Sequence, residues 1–125
     1  VIPVILNADY ADPPPNQTAI DRANELYAEA EKQGTLPSRV VADSGEDGGV
    51  VFYWFRGERS WSAIFVGNDG EVSLQKRTPP EKLFVNGRVE GWGVSFEFAK
   101  ANLAAWARGA SVRFIIKDAS EDVKK

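Results

Sequence analysis

The run from Gly49 to Gln75 restricts the fold more than any other stretch, because it reads as three strands in succession. Val50-Val51-Phe52-Tyr53-Trp54-Phe55 and the segment from Trp61 to Val66 are β-branched and aromatic, and Arg56-Gly57-Glu58-Arg59 joins them. Asn68-Asp69-Gly70 then leads into a third run, Glu71 to Arg77. An Asn/Asp-Gly step between apolar β-formers marks a hairpin, since Gly takes the positive φ that tight hairpin turns need. The centre of the chain is therefore predicted to be an antiparallel meander. It holds six of the fourteen aromatic residues, the densest cluster in the sequence.

Side chains alternate across a strand, so Val50, Phe52 and Trp54 share one face and Val51, Tyr53 and Phe55 the other. Both sets are bulky. That predicts a central strand, either covered on both sides or presenting an aromatic surface. Trp61, Ala63 and Phe65 alternate with Ser62, Ile64 and Val66. In the third run Val72, Leu74 and Lys76 alternate with Glu71, Ser73 and Gln75. One apolar face and a charged end predict an edge strand.

The flanks supply the rest of the fold. Val1 to Leu6 reads as a short strand, kept to an edge by Pro3, and Pro13-Pro14-Pro15 as a stiff polyproline II lead-in. Asn16 suits a helix N-cap. Ala19, Ile20, Ala23, Leu26, Tyr27 and Ala30 then recur at helical spacing, until Gly34 and Pro37 stop the helix. Ser38 to Asp43 is a predicted strand, and Asp43 to Gly49 an acidic solvated loop without the EF-hand pattern. Leu83 to Val85 and Arg88 to Val94 are predicted to pair across Asn86-Gly87. Ser95 caps a second helix running through Arg108, with Phe96, Ala99, Leu103 and Trp106 as its stripe. Ser111 to Lys117 reads as a last strand. The expected fold is a single α+β domain over residues 1–125, an antiparallel sheet with a central meander packed by two α-helices. Residues 1–15 form an extended lead-in and 118–125 a frayed tail. There are no internal repeats.

Several motifs fall in a familiar order: Pro14, Pro15 and Asn16, then Ala19 and Ile20, Leu36 to Val40, Gly48-Gly49-Val50, Arg56-Gly57 and Asn68 to Glu71. Over roughly residues 13 to 72 the chain resembles a group of small uncharacterised bacterial proteins. These share a Pro-Pro-Asn helix start, a Pro-x-Arg-Val strand, a Gly-Gly-Val strand and an Asn-Asp-Gly-Glu turn. In that group an acidic residue often follows the Ile of the second meander strand, where this chain has Phe65 after Ile64. The resemblance implies the fold and a bacterial origin, and it assigns no site.

Composition narrows the chemistry. The 125 residues include no Cys and no His, which removes thiolate and imidazole metal ligands, the cysteine nucleophile and the commonest general base. No cofactor and no metal site are expected. The lack of Met fits a removed initiator or a start inside a longer chain. Fifteen basic against eighteen acidic residues leave a net charge of −3, which opposes bulk affinity for nucleic acid or anionic membranes. No run reaches the ~18 apolar residues of a membrane span, so a soluble chain is expected, with the cytoplasm as its setting.

Three functional readings remain. Asp43, Glu46, Asp47, Asp69 and Glu71 are candidates for a carboxylate-based hydrolase, but all fall in turns, and no nucleophile elbow or phosphate loop accompanies them. Tyr53, Trp54, Arg56, Arg59, Trp61, Lys76 and Arg77 supply the aromatics and cations of a single-stranded nucleic-acid binder. The favoured expectation is a non-enzymatic protein-interaction or regulatory module. It needs only shape and anchors, and Trp, Tyr and Arg are the preferred ones. The expected partner-binding residues are Arg56, Arg59, Trp61, Tyr53 and Trp92, with no catalytic residue.

Overall fold

The computed structural model describes residues 2–43, 47–57, 60–78 and 88–110. They form an α+β domain with one five-stranded antiparallel sheet and three helices. In chain order the elements are α1 (Gln17–Lys32), β1 (Arg39–Ala42), β2 (Gly49–Phe55), β3 (Trp61–Gly67), β4 (Val72–Thr78), β5 (Arg88–Val94), α2 (Phe96–Ala101) and α3 (Leu103–Ala107). The strands lie side by side in sequence order, each antiparallel to the next.

All three helices pack on one face of the sheet. Ala19, Ala23, Leu26 and Ala30, the apolar stripe of α1, are fully buried against Val50, Phe52, Ile64 and Val66. Phe52 meets Tyr27 edge-on at 6.4 Å and Trp54 at 6.1 Å. Trp54 donates its indole N–H to the Thr35 carbonyl at 2.9 Å, and the buried Trp106 donates to the Ala63 carbonyl, also at 2.9 Å. Each indole thus buries its ring without orphaning its polar atom.

Some expected elements take another form. The expected edge strand, β4, is interior, because Arg88–Val94 returns to pair with it from Val72↔Val94 to Thr78↔Arg88. Its alternating polarity reports a strand with one face that no described helix covers, which interior and edge strands share. The first segment makes only a one-residue parallel bridge, Leu6 to Val41, on the outer side of β1. The second helix is broken at Asn102, whose side-chain Nδ2 donates to the Phe98 carbonyl at 2.9 Å while its backbone leaves the helical region (φ −112°). A short amide that competes for a helical carbonyl is a known helix disruptor. The expected strands at Leu83–Val85 and Ser111–Lys117, the Asn86-Gly87 turn and the tail lie outside the described residues.

The start of α1 is clasped to the β3–β4 turn. The Asn16 backbone N–H donates to Asn68 Oδ1 at 2.8 Å, and Asn16 Nδ2 donates to the Asn68 carbonyl at 2.8 Å. Asn68 Nδ2 reaches the Pro14 carbonyl at 3.1 Å, and the Asn68 N–H reaches the Gly48 carbonyl at 3.2 Å. Asn16 Oδ1 meanwhile caps the helix by accepting from Ala19 N–H at 3.0 Å. Gly49, at φ 144°, lies so close to β3 that a Cβ would run into the Val66 carbonyl oxygen. Residues far apart in sequence, Pro14, Asn16, Gly48, Gly49 and Asn68, thus form one architectural joint.

Candidate functional site: the open face of the sheet

Register defines the second face residue by residue. One cross-strand row runs Phe55, Trp61, Arg77, Val89, and the next runs Arg39, Tyr53, Ala63, Gln75, Gly91. A third runs Val41, Val51, Phe65, Ser73, Gly93. Among the described elements no helix packs on these rows. At one end of this face Phe55 is 45% exposed and Val89 57% exposed, while Val51 further along β2 is buried, as are Phe52 and Trp54 on the other face.

The aromatic side chains of this face organise one another. Tyr53 and Phe55, two apart on β2, stack with centroids 5.7 Å apart and planes 6° from parallel. Trp61 meets Tyr53 edge-on at 5.3 Å and 89°. The Arg39 guanidinium, carried by β1, lies 5.6 Å from the Phe55 centroid, within cation–π range. Ala63 is fully buried at the base of the group. On the far side of Trp61, Arg77 has a buried Nε–H with no hydrogen-bond acceptor.

Burial raises the Tyr53 phenol above its ordinary value of 10.0, and the charge of Asp43 adds to the shift. Within the five strands this face carries Arg39 and Arg77 and no carboxylate. Asp43 and Glu71 follow β1 and precede β4 at the opposite, turn-side end of the sheet. The face is therefore polarised, basic where the aromatics cluster and acidic at its foot.

The expected anchors separate. Tyr53 and Trp61 come together on the open face. Trp92 belongs to the other face, half-buried and edge-on to Trp106 at 6.1 Å. Arg56 turns the same way: its Nη1 donates to the buried Ser62 hydroxyl and its side chain lies against Gly109, where a Cβ would sit 2.9 Å from Nε. Burial lowers the Arg56 pKa from its ordinary value. Arg59 lies outside the described residues. Phe55, Arg39 and Val89 join the site although residue type alone did not mark them. Arg39 could only be placed through the pairing of β1 with β2, a register that the sequence does not spell out.

The other constellations disperse. Of the residues for a nucleic-acid platform, Trp54 is spent in the core and Lys76 donates to the Gly109 carbonyl at 3.3 Å. Asp69 accepts from the Glu71 N–H at 2.9 Å inside the β3–β4 turn. Among the described residues no group of three or more His, Cys, Asp or Glu side chains is placed to hold a metal ion, and no helix is long and apolar enough to cross a membrane. No protein-family model, curated protein or solved structure matches the chain.

Proposed function

We propose that the protein is a non-enzymatic interaction module whose open sheet face receives a protein partner. The observation that carries this reading is the Arg39–Phe55–Tyr53–Trp61 group, a rigid amphipathic surface held by ring packing on the face opposite the helices. Aromatic and arginine side chains that are already ordered lose little entropy on binding and make effective anchors.

The same group disfavours base stacking. One face of Phe55 is taken by Tyr53 and the ring also holds Arg39, while Trp61 points its edge or face into Tyr53. A nucleic-acid platform needs open ring faces along a cationic track, and the chain has a net charge of −3.

The test compares wild type with Phe55→Ser/Trp61→Ser by quantitative cross-linking and capture in matched lysates, with folding checked by circular dichroism. A partner captured by wild type should be depleted at least about tenfold on the variant, equivalent to about 1.4 kcal/mol. Partner capture unchanged by a folded variant would remove this face from the function. Association that weakens by about one log unit per log unit of salt for each phosphate engaged would identify nucleic acid instead.

A further inference from the structure

We infer that the segment received by the open face is an extended acidic peptide, with two carboxylates four residues apart and an apolar side chain between them. This rests on the reading of the face as a protein-binding surface and adds the chemistry of what binds. Arg39 stands on β1 beside Tyr53, and Arg77 stands on β4 beside Trp61. Three strand spacings of about 4.8 Å separate β1 from β4, about 14 Å across the strands; Arg39 stands one row away from Arg77 along them, and its guanidinium reaches over Phe55 into the Arg77 row. An extended chain rises about 3.3 Å per residue and alternates its side chains, so residues i and i+4 span about 13 Å and point the same way. Residue i+2 points the same way again, and would fall between the arginines, over the Phe55–Trp61 pair.

Charge selects the same occupant. Among the described residues neither Arg39 nor Arg77 has a carboxylate within ion-pair distance; Arg39 rests on the Phe55 ring and Arg77 has an unpaired Nε–H. A guanidinium matches a carboxylate with two parallel hydrogen bonds, so each arginine can hold one acidic side chain through its terminal nitrogens. Asp43 and Glu71 at the foot of the sheet repel the same peptide there and fix it across the aromatic end. The contrast with an overall negative chain makes this end the place where an acidic segment is drawn in.

A random seven-residue peptide display library panned against the full chain tests this, with enriched peptides remeasured by fluorescence anisotropy. Peptides with Asp or Glu at i and i+4 and an apolar residue at i+2 should dominate, and Phe55→Ser/Trp61→Ser should abolish their binding. Arg39→Glu/Arg77→Glu should weaken them at least about thirtyfold, and Lys replacing the two acids should restore affinity for that variant. Arg39→Gln/Arg77→Gln serves the same comparison if the reversed variant is unfolded. Enriched peptides that need Phe55 and Trp61 but lack the acidic pair, or ignore both arginine variants, would overturn the inference and leave the protein-binding face standing. If no enriched peptide depends on Phe55 and Trp61, both fall. A second copy of the chain that binds in place of peptides, and is lost in the same variant, would overturn the inference alone, and a single-stranded oligonucleotide that does so would overturn both.

Discussion

The two faces of the sheet draw on the same residue types and put them to opposite uses. On the covered face Phe52, Trp54, Trp92 and Trp106 meet edge-on, and the indoles of Trp54 and Trp106 end on backbone carbonyls. On the open face Tyr53, Phe55 and Trp61 pack against one another and against a cation, with the described helices all on the far side. An aromatic ring is stabilised by burial wherever a helix can cover it. Where no described helix does, rings cluster to hide part of their own surface. Alternating residues of one strand, β2, therefore go to the core on one side and to the proposed binding face on the other.

Substitutions should divide along the same line. The largest loss is expected for Trp106→Ala, about 3–5 kcal/mol, since a fully buried ring and its bond to Ala63 both disappear. Leu26→Ala should follow, at about 2–5 kcal/mol, because Leu26 is fully buried where α1 meets β2 and β3. Urea unfolding measures both, and a loss below about 1 kcal/mol for either would misassign the covered face.

Asn68→Ala probes the joint between α1 and the meander. It removes the side-chain partners of the Asn16 N–H and the Pro14 carbonyl, both exposed to water, and should cost about 1–2 kcal/mol. Phe55→Ser should be milder, about 0.5–1 kcal/mol, the size of a cross-strand aromatic pair, while removing partner binding. If Phe55→Ser proved as costly as Leu26→Ala, the open face would be a second core, and the contrast between the faces would collapse.

The smallest effect is a titration. Because the folded-state pKa of Tyr53 is raised, folding favours its protonated form. The associated stability is complete below the unfolded value near 10 and is lost as pH rises through the folded value. Alkaline absorbance titration should show one phenol ionising above the ordinary tyrosine range, and Tyr53→Phe should delete that step. Asp43→Asn should lower its midpoint only partly, since burial is the larger cause.

Much of the fold was legible because its signals are local. Asn16 and Gly34 bracket α1 by capping and left-handed geometry, and Asn68-Asp69-Gly70 turns β3 into β4 with Gly70 at φ 87°. The break at Asn102 was hidden, since a side-chain amide reaching back to a carbonyl leaves the apolar stripe intact. The site was only half legible: Tyr53 and Trp61 were marked by residue type and Phe55 fell on the Tyr53 face by alternation, but Arg39 and Val89 take their meaning from neighbours on other strands.

Residue order alone determined the helix α1, the meander and the alternation that divides Phe52 from Phe55. These depend on backbone preferences and side-chain periods that act over a few residues. Tertiary structure decided which of two equally aromatic faces the helices would cover. That choice depends on where α1 is pinned, through Asn16 to Asn68, and on where α3 brings Trp106. It sent Arg56 and Trp92 to the covered side, left Tyr53 and Trp61 on the other and brought Arg39 beside them. No interaction within any one of these segments carries that information, because both faces of β2 are alike until something packs against one of them.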